Sequence, residues 1–325
     1  MNFKPKNMLG KIWLKATNRR AYLQYKGELK EWHELNRFKE SEDKIRAAKD
    51  RSPILTVEKI KQVAQLEGRI NCVHSGNAGD IIYALPTLRD LKKVTNVPVH
   101  LFLKLNEPSL LPSHFNHPLG KVRLNNEVAD MLRPLLLAQP YVESCEIFRD
   151  QKIDIRLDQF RDFPLYQGDI ARWPSYTIGL RPDLTESWLR SKPNSDFEES
   201  IVVARSARYN NLFADYSFLN DFSNLIFVGV SSEYEAMRKF LPRIEWLKLN
   251  NFQELGECLS GCKFFIGNQS FPYSVAEGLK IPRVLEQSFD VSNVVPSGKN
   301  AYEFYFQEHF EATVHGLNSK QTSKK

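Results

Sequence analysis

Arg69-Ile-Asn-Cys-Val-His74 is a short apolar run that passes directly into Ser75-Gly-Asn-Ala-Gly-Asp80. The run reads as a buried strand, and the glycine-containing stretch after it as a tight turn. Ile81 to Val94 then carries Ile81, Ile82, Leu85, Leu88 and Leu91 on one side at helical spacing. Pro86 lies inside that helix and is expected to bend or loosen its first turns. A strand, a glycine turn and a helix in succession open an α/β unit.

The same alternation continues outward. Val97–Leu103, Tyr141–Phe148 and Lys152–Leu157 read as strands, and 125–138 as a helix with Val128, Met131, Leu132 and Leu135 facing inward. The polar, proline-containing segment 181–199 marks a domain boundary. Strands are then expected at 200–204, 225–230, 244–249, 263–267 and 283–286, with helices at 233–240, 252–260 and 274–279. Two α/β units in series imply two parallel sheets, each covered on both faces, with a cleft between them. Residues 1–67 show helical patterning only, and Ser52-Pro53 breaks them. The expected division is a helical extension over 1–67, α/β domains over 68–190 and 191–290, and a tail over 291–325. The aromatic part of that tail is expected to be a docked helix, and the part from about Leu317 to be disordered.

Composition excludes several classes. The chain has 325 residues, 42% hydrophobic and 26% charged, as in an ordinary globular protein. No apolar run approaches the roughly 18 residues of a membrane span, and the N-terminus lacks the apolar core of a signal peptide. A cytoplasmic protein is expected, or one lying against the cytoplasmic face of a membrane. Cys72, Cys145, Cys258 and Cys262 form no disulfide framework, and no second pair near Cys258 and Cys262 completes a metal site. No metal and no cofactor are expected.

The net charge of +6 lies wholly in residues 1–50, which hold 13 Lys/Arg and 7 Asp/Glu, so that 13 − 7 = +6. A neutral body argues against a nucleic-acid partner. Within the arm, Met8, Leu9, Ile12, Trp13 and Leu14 lie among Lys4, Lys6, Lys11 and Lys15. That pattern suits an anionic membrane surface, or packing on the body or on a second subunit.

Three loops carry the chemistry. In the first, Gly76 and Gly79 allow close backbone approach, Ser75 and Asn77 add polar groups, and Asp80 is either a general base or a helix cap. In the second, Gly267-Asn-Gln-Ser-Phe-Pro-Tyr273, the residues Asn268, Gln269, Ser270 and Pro272 precede or open a helix whose N–H groups suit a diphosphate. Glu277, one turn on, is either a ribose ligand or a solvated helix residue. In the third, Arg205 and Arg208 follow the first strand of the second domain, as a diphosphate clamp or as surface arginines. Gly229 ends a strand of the same domain and joins the expected donor site.

Ser75-Gly-Asn-Ala-Gly-Asp-Ile-Ile-Tyr-Ala-Leu-Pro-Thr-Leu-Arg-Asp90 and Phe265-Ile-Gly-Asn-Gln-Ser-Phe-Pro-Tyr-Ser-Val-Ala-Glu-Gly-Leu-Lys-Ile-Pro282 resemble, in order, the two motifs of the ADP-heptose:lipopolysaccharide heptosyltransferases. The resemblance spans about residues 69–290. It implies a GT-B fold, in which two Rossmann-like domains face a cleft, the acceptor in the N-terminal half and the nucleotide sugar in the C-terminal half. It implies inverting transfer without a metal to a glycan or glycolipid hydroxyl, with Asp80 as base. The second motif usually reads Gly-Asn-Asp-Ser-Gly-Pro followed by His, whereas Gln269, Phe271 and Ser274 stand here. Those departures point to a divergent branch with another donor, or to a protein that binds the nucleotide without turnover. A sugar-nucleotide epimerase on the same fold is a further alternative.

Overall fold

The computed structural model describes residues 3–51, 54–109, 118–163 and 168–322. The chain divides into two compact units, Met1–Pro53 with Arg161–Pro164, and Ile54–Phe160 with Leu165–Lys325. The first unit is helical, with α1 (Met8–Thr17) and α2 (Arg19–Arg51). The Ser52-Pro53 break falls outside the described residues.

The second unit opens with α3 (Val57–Glu67) and a sheet of four parallel strands. These are β1 (Ile70–His74), β2 (Val99–Leu103), β3 (Ser144–Ile147) and β4 (Ile155–Arg156), in the order β3-β2-β1-β4. α4 (Ala78–Thr95) and α5 (Asn126–Leu137) connect them, and the one-turn helix α6 (Trp173–Tyr176) follows. The second sheet holds β5 (Ile201–Ala204), β6 (Leu225–Phe227), β7 (Glu245–Trp246), β8 (Phe264–Asn268), β9 (Arg283–Glu286) and β10 (Ala301–Phe304). Its helices are α7 (Ser231–Arg238), α8 (Phe252–Gly261), α9 (Phe271–Leu279) and α10 (Gln307–Thr322).

All six strands are parallel, in the order β10-β9-β8-β5-β6-β7. Counted from the first strand of this half, that order is 3-2-1-4-5-6, the doubly wound Rossmann arrangement. Every residue of β1, β5, β8 and β9 is buried, as parallel strands covered on both faces require.

Local chemistry sets the helix starts. Asn125 caps α5 by accepting from the N–H of Val128 at 2.9 Å, and Asn251 caps α8 by accepting from Gln253 at 2.9 Å. α4 keeps Pro86 within it, fully packed, and ends on Asn96 in the left-handed conformation. The two halves share one core, in which Ile82, Leu85 and Leu88 of α4 belong to the same cluster as Val275 and Ala276 of α9. Segment 181–199 is docked between them. Trp188 and Leu189 are buried, both of their N–H groups donate to the Gly278 carbonyl, and the Tyr141 hydroxyl donates to the Trp188 carbonyl.

Two elements differ from the sequence reading. The aromatic stretch after Lys299 contributes the parallel edge strand β10 before the helix begins, because Tyr302 and Phe304 alternate in a strand paired to β9. The helix after it runs through Thr322, past the point where disorder was expected, and 323–325 lie outside the described residues.

Candidate functional site

In an open α/β sheet, ligands bind where the strand order reverses, beyond the C-terminal ends of the strands. In the second sheet that point lies between β5 and β8, so the loops beginning at Arg205 and Gln269 flank it. Asn268 joins the two loops. Its Oδ1 accepts from the Ser206 N–H at 3.0 Å, and its Nδ2 donates to the carbonyls of Ser206 and Arg208 at 3.0 and 2.7 Å and to Asn210 Oδ1 at 2.9 Å. Asn268 is fully buried, so its expected diphosphate contact gives way to a loop-shaping role.

Arg205 is likewise spent inside the protein. Its Nε and Nη2 donate to the two oxygens of Glu286 at 2.8 and 2.7 Å, and its guanidinium lies 5.0 Å from the centre of the Tyr216 ring. Glu286 is fully buried and also accepts from the Tyr216 hydroxyl and the Asn211 N–H. A buried carboxylate demands such partners, and Arg205 is the cation that neutralises it. Of the two arginines expected as a clamp, Arg205 is therefore paired internally, and Arg208 makes no ion pair among the described residues. The Arg208 guanidinium rests 5.5 Å from the Tyr209 ring, and its buried Nε has no hydrogen-bond partner among the described residues. Tyr209 itself is in the left-handed region, at φ 58°, a strained conformation for an aromatic residue that turns the loop at this point.

A cavity of about 330 Å³ opens beside this loop, lined by Ser206, Ala207, Asn210, Val230 and Glu233 among others. Gly229 shapes it. Its φ is 153°, and a Cβ there would come within 2.8 Å of the Phe227 ring and 3.1 Å of Glu233 Oε2. The turn carries Glu233 into the first turn of α7, where Oε2 accepts from the Val230 N–H at 3.4 Å. Burial raises the Glu233 carboxyl above its ordinary value, against hydrogen bonds from Val230 and Ala207 and the charge of Arg208. The sequence reading missed Glu233. Its signal is an acidic residue three positions after a strand-ending Gly-Val, the spacing that Asp80 shows after Asn77.

α9 begins at Phe271, three residues earlier than expected, with Ser270 as its N-cap and Pro272 in the first turn, where a missing N–H costs least. Ser270 Oγ donates to the Asn268 carbonyl at 3.1 Å. The Gln269 amide is buried and donates to the Val291 carbonyl at 2.6 Å. Glu277 is not the solvated helix residue that was one of the two expectations. It is buried and accepts from Arg283 Nε at 2.5 Å, from Lys280 Nζ, and from the Ser297 N–H and hydroxyl at 3.2 Å each. Burial lowers the Lys280 ammonium to about 8, against the opposing pull of Glu277.

In the first half, Asn77 is the N-cap of α4, and Asp80 stands in the first turn, not at the cap. Asp80 Oδ2 accepts from the Asn77 N–H at 3.0 Å and from its Nδ2 at 3.2 Å, while Asn77 Oδ1 is buried without a partner among the described residues. Gly76 N–H donates to His74 Nδ1 at 2.9 Å, and Ser75 Oγ donates to Asp158. Asp158 follows β4, which pairs with β1, so it too sits at a strand-order reversal. Sequence spacing gives no sign of it, because 83 residues separate it from Ser75.

The two motif helices start side by side. A Cβ on Gly79 would lie 3.7 Å from Ser274 Oγ and 3.8 Å from Phe271 Cα. The first turn of α4, which carries Asp80, therefore meets the first turn of α9. Among the described residues, no group of three or more His, Cys, Asp or Glu side chains is placed to hold a metal ion. All four cysteines are free, and burial pushes the Cys258 thiol up to about 12. No helix among the described residues is long and apolar enough to cross a membrane.

Two Rossmann-type sheets in one chain, with motif loops meeting between them, define the GT-B arrangement. Comparison with solved structures identifies similar folds. The chain resembles Escherichia coli ADP-heptose lipopolysaccharide heptosyltransferase II with a TM-score of 0.54 and 10% identity, over 78% of this chain and 99% of that one. It resembles E. coli heptosyltransferase WaaC, solved with ADP, with a TM-score of 0.53 and 10% identity, over 77% and 99%. A third likeness is to the dodecameric iron-containing heptosyltransferase TibC, in complex with ADP-D-beta-D-heptose, with a TM-score of 0.54 and 13% identity, over 78% of each chain. The resemblance carried by the two motifs thus extends to the fold. No protein-family model matches the chain, and no curated protein matches it in sequence.

Proposed function

We propose that the protein is a glycosyltransferase moving a sugar from a nucleoside diphosphate to a hydroxyl of a glycan or glycolipid, with inversion and without a metal. The observation that carries this reading is the approach of Gly79 to Phe271 and Ser274, which joins the Asp80 turn to the α9 turn. The nucleotide sugar enters the cavity beside β5, which Ser206, Ala207 and Asn210 of the Arg208 loop line, and its diphosphate is met by Arg208 from that loop and by the first-turn N–H groups of α9. Asp80 takes the proton of the acceptor hydroxyl as that oxygen attacks the anomeric carbon. The bond to the diphosphate breaks, and the departing negative charge is met by the guanidinium and the helix end. Glu233, which lines the cavity from the first turn of α7, accepts hydrogen bonds from ribose hydroxyls in this reading.

A second reading, a sugar-nucleotide-binding protein without turnover, is favoured by one observation. Arg205, Asn268, Gln269 and Glu277 are all engaged in internal bonds. Assays of nucleoside diphosphate release separate the two. The transferase reading expects release that depends on both a donor and a hydroxyl-bearing glycan acceptor. A sugar altered without any acceptor would indicate epimerisation, and binding with no release would support the second reading.

A further inference from the structure

The helical arm holds an exposed apolar stripe framed by cations. Residues 1–27 contain seven Lys/Arg and no Asp or Glu, the first acid being Glu28. Within them, α1 leaves Met8 78%, Leu9 77%, Ile12 56% and Trp13 67% exposed. At helical spacing these four side chains fall within an arc of about 140°, and Lys11 and Lys15 border one edge of it. Soluble proteins do not ordinarily present so many large apolar side chains on so short a helix.

The helix is held in this presentation by its own unit. Asn7 caps α1 by accepting from the Gly10 N–H at 2.9 Å, and Asn18 accepts from the Ala21 N–H at 3.0 Å to start α2. Before α1, the Lys6 N–H donates to the Tyr25 hydroxyl at 3.0 Å, and Phe3 packs on Tyr25 and Trp32 with ring centres 5.6 and 6.2 Å apart. Tyr25 is buried. These contacts fix α1 against α2 on one side and leave the stripe outward on the other.

We infer that α1 is a docking element for an anionic lipid bilayer. Met8, Leu9, Ile12 and Trp13 enter the interface between headgroups and acyl chains, and Lys11, Lys15 and the neighbouring Lys4, Lys6, Arg19 and Arg20 meet lipid phosphates. Charge complementarity selects this occupant. A second copy of the same stripe would bring its own lysines against these, whereas an anionic surface satisfies both the apolar and the cationic parts. The inference is independent of the proposed transfer reaction.

Cosedimentation of the full chain with vesicles tests it. Binding is expected to vesicles of phosphatidylcholine with about one-third phosphatidylglycerol, to be weak for phosphatidylcholine alone, and to fall with added salt. Ile12→Asp and the pair Lys11→Glu/Lys15→Glu should each reduce the partition by about tenfold or more, with the melting temperature and helical circular dichroism kept. Absence of binding to the anionic vesicles would overturn the inference, as would undiminished binding by both variants. A dimer in light scattering that Ile12→Asp dissolves, without vesicle binding, would assign the stripe to self-association instead.

Discussion

Arg205 and Glu286 lie two strands apart in the second sheet and close on each other as a fork on a carboxylate, at 2.8 and 2.7 Å. The pair is nearly dry, with side-chain exposures of 14% and 0%. Removing one partner strands the other charge, so Glu286→Ala is expected to destabilise the protein by about 3–5 kcal/mol. Urea denaturation would measure this, and a loss under about 1 kcal/mol would contradict the buried-pair reading.

Arg208→Ala is expected to act on ligand binding and not on folding. Its guanidinium carries no ion pair among the described residues and rests on the Tyr209 ring in the loop that follows β5. Loss of one charged hydrogen-bond partner weakens nucleoside diphosphate binding by at least about tenfold, with a smaller loss for the nucleoside alone. Calorimetry with both ligands checks the prediction, and equal losses for both would remove the phosphate contact.

For Asp80 the base and helix-end roles separate in one variant. Asparagine at position 80 retains an oxygen to accept from the Asn77 N–H, so the first turn of α4 should persist with a loss of only about 0.3–1 kcal/mol from the missing charge. Transfer should fall by roughly 100-fold or more, because an amide takes no proton. An Asp80→Asn enzyme with wild-type turnover would leave Asp80 a helix-end residue only.

Asp169 gives a pH signature. Burial foremost, with the charge of Glu277, raises its carboxyl from 3.8 to about 6, against the Ala171 N–H that it accepts. Between about pH 4 and 6 the folded chain therefore holds a proton that the unfolded chain has released, and stability contributed by this group falls as pH rises through that window. Asp169→Asn keeps the acceptor for Ala171 and removes the titration. It should melt higher than wild type at pH 7.5, and the difference should vanish near pH 4. A difference independent of pH would show that folding leaves the Asp169 carboxyl unshifted.

The alternation of apolar runs with helical patterns made both sheets readable, since every strand from β1 to β9 and the helices α4, α5, α7, α8 and α9 lie within or beside the expected stretches, while the one-turn helix α6 had no expected counterpart. β10 escaped because an aromatic-rich edge strand and a docked helix place similar residues in the core. The three loops were legible from their glycines, amides and arginines. What each side chain does was not. Arg205 is claimed by Glu286 and Glu277 by Arg283 only because the strand order brings them together, and loop composition holds no trace of that order. Glu233 was readable in principle from its spacing after Gly229.

Whether the loops after β5 and β8 bind a nucleotide sugar is decided by thermal melting of the full chain against a panel of nucleotide sugars. Ligand present at about 100 times its Kd stabilises the native state by about 2.7 kcal/mol, which raises the melting temperature measurably. At least one nucleotide sugar is expected to raise it, the matching nucleoside less so, and Arg208→Ala to erase most of the difference. A panel of purine and pyrimidine nucleotide sugars that leaves the melting temperature unchanged at millimolar concentration would contradict the account.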